Sequence, residues 1–581
     1  MAAGLADEVT REAAAELGRN PGNAEGHYLS GRLAAARQDW PRARAALQRA
    51  VELAPGRADF HYDLGLALRA LGEKRTALAA MERALELQHD HVPAAYHAGK
   101  LHAELGELED ARDCYGLALA FDPRSSASRV ELARLLEASV GLEAARSVLE
   151  EAVAREIADA AVISELAVLA KREGDFARAG KLYESAMTRF PGNAAVAANL
   201  GLLRLAQFGD AVEAERLFRR ALELDPGQIE AWANLDLALQ EQGRFEEALA
   251  HCERAIRERP DVVEFRWNRG LAHLLLGRFG AAWEDYELRK GRPDAGGVHE
   301  KFTLPDWDGT PLAGRSILVY GEQGLGDEIM FASCLDEVIA RAELTVVECD
   351  ARLANLYRRA FPRARIEPRG PQRERDWRAT YPSLELQAAV GSLPLYLRRD
   401  ASDFPERSAY FKPDSEKTAR WRLLLGALTP RRAVGISWRG GTPRTRGLLR
   451  SLRLDDLQPL LDAPGSTFVV LQRALSPEER SALSGRANVF IPEDLANLDE
   501  FAALLAALDL VVSADNSTVH LAGALGRPVW VLLSASPDWR YLWEGERMPW
   551  YPSARLLRQR DSRDWHSVVD ECRSRLEHAL A

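Results

Sequence analysis

Two short segments hold the residues whose types and spacing could do chemistry. Asp327 closes the run Gly321-Glu322-Gln323-Gly324-Leu325-Gly326-Asp327, and Asp515-Asn516-Ser517-Thr518-Val519-His520 follows an apolar stretch that begins at Leu508. An aspartate placed where a glycine loop becomes a helix is either an N-terminal cap or a carboxylate facing a cleft, able to take a proton. Hydroxyls and backbone N–H groups at a helix start, as from Ser517 to His520, make either a site for an anion such as phosphate or an ordinary capped turn. Gly324 and Gly326 permit close approach to backbone. The spacing G-x-x-G-x-G matches neither the dinucleotide fingerprint nor the phosphate loop of ATPases, so neither NAD nor ATP binding is read from it.

The elements that must position these residues alternate strand and helix. Ser316–Tyr320 reads as a compact strand ahead of the glycine loop, and Glu328 to Ile339 as the helix after it. A second alternation begins at Ala433–Trp438 and runs through Thr467–Gln472 and Val489–Ile491 to the strand before Asp515. Two α/β lobes in tandem imply a cleft at strand ends, the usual place for a ligand. Arg439, Arg444, Arg446, Arg450 and Arg453 crowd the start of the second lobe. They read as a basic pool for phosphate or carboxylate, or as a solvated loop. Arg439 directly follows a strand, and Gln472 ends the next one, where it reads a base or sugar edge or caps a turn. Asp306-Trp307-Asp308 is formally a D-x-D, but it precedes the first strand, so a packed tryptophan between turn acids is expected there instead of a metal site.

Composition narrows the class. The chain has 581 residues, 47% hydrophobic and 28% charged, with net charge −11. That length calls for more than one domain, and the charge argues against a general nucleic-acid or anionic-membrane binder. Five scattered cysteines without a C-x-x-C read as reduced thiols, and no run is long enough to span a membrane, so a cytoplasmic location is expected. His89, His91, His97 and His102 straddle a loop and read as surface histidines.

Before residue 290 the pattern changes to a repeat of about 34 residues, with small residues at Gly31, Gly65, Gly99, Ala133, Ala167 and Gly201. Alanines recur in step at Ala43, Ala77, Ala111, Ala145 and Ala179, and prolines end several units, as at Pro55 and Pro123. The periodicity predicts tetratricopeptide hairpins, about eight units, whose groove holds a peptide or partner protein or else serves only as a scaffold.

In order, G-E-Q-G-L-G-D-E-I-M-F, V-G-I-S-W-R-G, L-Q-R, D-N-S-T-V-H-L-A-G-A-L-G-R-P-V-W, D-W-R-Y-L and P-W-Y-P resemble the bacterial tetratricopeptide-repeat glycosyltransferases. Their catalytic half is similar to the ADP-heptose heptosyltransferases and, distantly, to O-linked N-acetylglucosamine transferases. The resemblance implies an α + α/β chain. Its parts are a helical cap (residues 1–23), a repeat array (24–290), a linker (291–314), and the two lobes of a GT-B fold (315–425 and 426–581). It implies inverting transfer with no metal and no cofactor, from a nucleotide sugar to Ser or Thr of an acceptor protein held by the repeats, with flagellin as the implied acceptor. Asp327 matches the proposed base. Asp515 matches an acid near the nucleoside, and Ser517, Thr518, Val519 and His520 match the cradle of the donor phosphates. Asn516 and Tyr541 stand where relatives often carry threonine and tryptophan, which leaves the donor open. Two other readings stay open: a scaffold that binds a nucleotide sugar without turnover, and transfer to a glycolipid.

Overall fold

The structure is a computed structural model that describes residues 17, 19–291, 303–322, 324–369, 379–407, 409–428, 432–441, 447, 449–493, 495–560 and 564–578. The chain divides into two compact units, residues 1–200 with 223–226, and residues 201–222 with 227–581.

The first unit is built from antiparallel helical hairpins, beginning with Ala24–Ala36 against Trp40–Leu53 and ending with Ala160–Arg172 against Phe176–Arg189. The small residues of the repeat have a plain steric cause. A Cβ on Gly65 would lie 2.8 Å from Met81 Cε, and one on Gly99 would lie 2.7 Å from the Tyr115 ring. Each glycine is the seat for a large side chain of the second helix, so the helices close to near contact. Gly72 and Gly106 end first helices with φ of 80° and 83°, a conformation that favours glycine. His102 is buried with Nδ1 2.8 Å from Glu107 Oε2, which corrects its reading as a surface histidine.

The second unit joins the last hairpins to two parallel sheets. Its final repeat pairs Val263–Leu275 with the short helix Phe279–Tyr286. The first sheet has the order β3-β2-β1-β4, with β1 Ser316–Tyr320, β2 Leu344–Asp350, β3 Arg365–Arg369 and β4 Leu386–Ala389. The second has the order β10-β9-β8-β5-β6-β7, with β5 Arg432–Ser437, β6 Ser466–Val470, β7 Val489–Phe490, β8 Leu510–Ala514, β9 Val529–Leu533 and β10 Ala554–Arg558. Every pairing is parallel, and β1, β6 and β8 are buried along their whole length, as strands covered on both faces must be. The order in which strands are added reverses between β5 and β8, β6 and β7 extending the sheet to one side and β9 and β10 to the other, which opens a crevice beyond their carboxyl ends.

One hydrophobic core runs from the last repeat through both sheets. Trp283 is 1% exposed and donates its indole N–H to Arg398 O at 2.7 Å. Its ring meets Trp539 and Trp550 edge-on, with centroids 5.9 and 6.5 Å away. The division expected between residues 425 and 426 lies inside the helix Ser415–Leu428. That helix packs on Leu498–Ala507 through Lys417 to Asp499 (2.9 Å) and Trp421 to Glu500 (2.8 Å). Trp307 is buried and bonds Thr310 O, and Asp308 caps its own turn, as the sequence around the D-x-D suggests.

Trp283→Ala removes the aromatic wedge and an indole hydrogen bond from this core. It is expected to lower the unfolding free energy of the second unit by about 3–5 kcal/mol, read from denaturant titration of the full chain. A loss below about 1 kcal/mol would show that the cluster packs without it.

Candidate functional site

The glycine loop is shaped by two buried acids on either side of it. Glu322 Oε1 accepts from Arg289 Nε (2.9 Å), Arg289 Nη2 (2.6 Å) and Gly391 N (3.2 Å). Arg289 ends the last repeat and has no exposed surface; Glu287 Oε1, 2.6 Å from its Nη1, shares its charge. Glu328 pairs with Arg369 and accepts from Asp350 N at 2.8 Å. A Cβ on Gly321 would lie 2.4 Å from Glu328 Oε1, so only glycine leaves room for this carboxylate under the loop. Burial pushes Glu328 above the ordinary carboxylate range, against the pull of Arg369.

Between these clamps the helix Leu325–Phe331 begins at Gly324, which has no side chain with which to cap it. Asp327 lies in the first turn, and its carboxylate faces a partner from the other end of the sequence. Its Oδ1 accepts from Arg540 Nε at 2.8 Å and from Arg540 Nη2 at 2.5 Å. Of the two readings of Asp327, the geometry favours a carboxylate turned outward from the helix over a cap at its N-cap position. Burial raises its affinity for a proton, and Arg540 opposes that rise.

Arg540 rides on a short turn, Trp539–Tyr541, that Asp538 opens by accepting from Arg540 N at 3.1 Å. Asp538 Oδ1 also takes Arg540 Nη1 at 2.6 Å, and the guanidinium lies over the Trp539 ring, 4.5 Å from its centroid. Burial alone would raise Asp538, but Arg540 and Arg450 outweigh it, and the carboxyl sits below its usual range. Beside it, Asp515 Oδ2 lies 2.6 Å from Arg450 Nη2. There burial wins, and Asp515 is raised.

The helix Ser517–Ala524 packs against Leu325–Phe331, and Gly326 is the point of closest approach: its Cβ position lies 3.0 Å from His520 Cδ2. His520 is buried and bonded to Tyr551 Oη at 3.2 Å; burial first, then Arg540, lowers it to about 3, so the ring is neutral near pH 7. Asn516 is the N-cap. Its Oδ1 accepts from Thr518 N at 2.8 Å, and its Nδ2 donates to Ser437 Oγ (2.8 Å) and Arg439 O (3.0 Å). Val519 N is bonded to Asn516 O at 3.1 Å. Of the two readings of this helix start, a capped turn is present: the Asn516 side chain caps the helix, while the exposed Ser517 stands at its first position. Thr518, Val519 and His520 are buried, and Ser517 is the exposed member of the group.

The other sequence candidates serve the backbone around the crevice. Gln472 Oε1 accepts from Trp438 N (3.1 Å) and Arg439 N (2.9 Å), which fixes the loop after β5 as a turn cap would. Arg439 turns away onto Glu479 and donates to Ala474 O at 2.7 Å. Glu479 belongs to the capping box of Pro477–Ser484, so the Arg439 charge is compensated locally. Arg444 and Arg446 lie outside the described residues. A cavity of about 320 Å³ opens at the ends of β6 and β7, lined by Gln472, Arg473, Leu475, Ile491 and Pro492. Among residues given no role at the sequence level, Arg540, Asp538, Arg289 and Glu322 complete the site. Arg540 and Asp538 stand inside D-W-R-Y-L, but the partner of Arg540 is 213 positions away, and no local pattern reveals that pairing.

Helical hairpins followed by two parallel sheets covered by helices define a repeat protein that carries an α/β domain. Residues 10–58, 62–128 and 237–295 match one tetratricopeptide repeat model, residues 170–238 match another, and residues 495–575 match the model of glycosyltransferase family 9 (heptosyltransferase). The chain thus carries tetratricopeptide repeats and, over residues 495–575, a match to the glycosyltransferase family 9 domain. It is similar to protein FlbA of Caulobacter vibrioides, 34% identical over 375 residues that cover 61% of this chain. The chain spans 62% of that relative's length. Among solved structures, it is similar to a tetratricopeptide repeat protein from Parabacteroides merdae (16% identity, 40% of this chain and 91% of that one, TM-score 0.32). It is also similar to yeast Tom70 (19% identity, 43% and 55%, TM-score 0.38). Among the described residues no helix is long and apolar enough to cross a membrane.

Arg289→Met leaves Glu322 as an uncompensated buried charge and is expected to destabilise the protein by about 3–5 kcal/mol. Adding Glu322→Gln removes that charge and is expected to restore most of the loss. Denaturant titration of the single and double variants checks this; equal stability of the two would mean that the pair is not coupled.

Proposed function

We propose that the protein is a glycosyltransferase of GT-B architecture that moves a sugar from a nucleotide donor to a Ser or Thr hydroxyl of an acceptor protein. The observation that carries this reading is the Asp327 carboxylate, set in a crevice beside the start of the helix Ser517–Ala524, within a chain that holds a family 9 domain. The repeats hold the acceptor, for which flagellin is the first candidate from the resemblance of the ordered motifs. The site works in the cytoplasm, where nucleotide sugars are made.

In the proposed step the acceptor hydroxyl gives its proton to Asp327 as its oxygen forms a bond to the anomeric carbon. The bond from that carbon to the donor phosphate breaks on the opposite face, its electron pair leaves with the nucleotide, and the configuration inverts. Ser517 and the helix start beneath it, with Arg450 close by, meet the charge that develops on the leaving phosphate. The cavity at the ends of β6 and β7 has room for the nucleoside, beside Gln472. These groups supply the positive and dipolar environment themselves, so the scheme uses neither a metal ion nor a further cofactor.

Asp327→Asn keeps the shape of the side chain and loses the proton acceptor. It is expected to lower turnover by about 10²–10⁴-fold while donor affinity, measured by calorimetry with UDP-, ADP-, GDP- and CMP-linked sugars, stays near wild type. Transfer at the wild-type rate would remove Asp327 from the role of base. Donor binding without transfer in wild type would favour a scaffold instead.

His520 is neutral near pH 7 in its buried setting, so it contributes no limb to the pH profile in that range. His520→Gln is expected to leave the midpoint of the acid limb in place, whatever it does to the rate. A shifted midpoint would show that His520 titrates during turnover.

A further inference from the structure

The base proposed above needs to be ionised when the acceptor arrives, yet its surroundings favour the protonated form. Burial raises Asp327, and the acids nearest to it, Asp538 on the turn and Glu322 in its own loop, act in the same direction. The remaining groups that face it do little to correct this. Arg289 is committed to Glu322 and Glu287, His520 is neutral, and Tyr286 from the last repeat and Tyr551 behind His520 are held in their protonated forms by burial. Among the described residues, Arg540 is the cation bonded to Asp327.

Its geometry is that of a fixed part. Arg540 Nε and Nη2 both bond Oδ1 of Asp327, and Nη1 bonds Asp538 Oδ1. The guanidinium plane is thus pinned at both ends and rests on Trp539. Trp539 is itself wedged against the last repeat, 5.9 Å from Trp283 and 5.4 Å from Tyr286 between ring centroids. The turn is held a second time by Trp543 N, which donates to Leu275 O at 2.8 Å. Oδ2 of Asp327 accepts no hydrogen bond among the described residues, and the residue is half-buried, not sealed.

We propose that Arg540 is the positioning residue of the base: it occupies Oδ1 of Asp327, fixes the orientation of the carboxylate, and leaves Oδ2 as the oxygen that takes the acceptor proton. The inference rests on Asp327 acting as the base, and it gives Arg540 a role exercised through Asp327. A planar fork suits this task in a way that lysine does not, because both bonds to one oxygen fix orientation as well as charge.

The test uses the full chain labelled with ¹³C at aspartate Cγ, with Asp327→Asn identifying the Asp327 signal. Arg540→Met is expected to move the Asp327 titration midpoint upward by roughly 1–3 pH units, and Arg540→Lys to fall between that variant and wild type. An unchanged midpoint in Arg540→Met overturns the proposal whether or not the protein transfers sugar, so its failure is separable from that of the enzymatic reading. Thermal melting checks each variant, and Arg540→Gln carries the same expectation if the methionine variant melts early. In transfer assays, the acid limb of kcat in Arg540→Met is expected to shift upward by the same interval, with donor affinity within about threefold of wild type. A loss confined to donor affinity, with the limb in place, would assign Arg540 to the donor phosphate and overturn the positioning role.

Discussion

A guanidinium taken out of water must find its carboxylates inside the protein, and at Arg540 that requirement organises the whole site. The cation joins Asp327, on the first helix after β1, to Asp538, on the turn after β9. Breaking either contact would leave a charge in a poorly solvated place, a far larger penalty than an exposed ion pair ever repays. The ion pair therefore ties the helix after β1 to the turn after β9, beside the Gly326–His520 contact that joins the two sheets' facing helices.

The same turn ties the chemistry to the repeats. Trp539 and Trp543 pack on the last hairpins, Arg558 holds the carbonyls of Tyr541, Leu542 and Gly545, and Arg289 reaches from the final repeat to Glu322 in the glycine loop. Both sides of the crevice are thus anchored on one element, the end of the repeat array. The final hairpin is part of the core of the α/β region, not a module attached to it, because Trp283 and Tyr286 lie in that core.

Much of this was legible in the sequence where a signal is local and periodic. The repeat spacing marked the hairpins because each glycine answers one large side chain on the facing helix, as Gly65 answers Met81. The apolar runs that became β1, β5, β6 and β8 stood out because buried parallel strands are apolar on both faces. Leu386–Ala389 and Ala554–Arg558 escaped notice: the first is only four residues long, and the second carries an arginine at each flank of its apolar pair. At the site, the Asp327 loop and the Asp515–His520 turn were visible by composition. Gln472 carried the turn-cap reading as one of two. The function of Arg439 as the partner of Glu479, and the bonds by which Asn516 ties its turn to Ser437 and Arg439, were not visible, because each depends on a neighbour supplied by another strand or helix. Arg540 belongs to the same group, for the same reason.

In the proposed reaction this crevice transfers a sugar to protein and Asp327 takes the proton. Intact-mass spectrometry of flagellin, exposed to the full chain with UDP-, ADP-, GDP- and CMP-linked sugars in turn, measures that outcome directly. The expected result is a fixed mass increment, mapping to Ser or Thr, with one donor class, absent when Asp327→Asn replaces the wild-type chain. An increment that persists with Asp327→Asn, or none with any donor while the same donor binds, would contradict it.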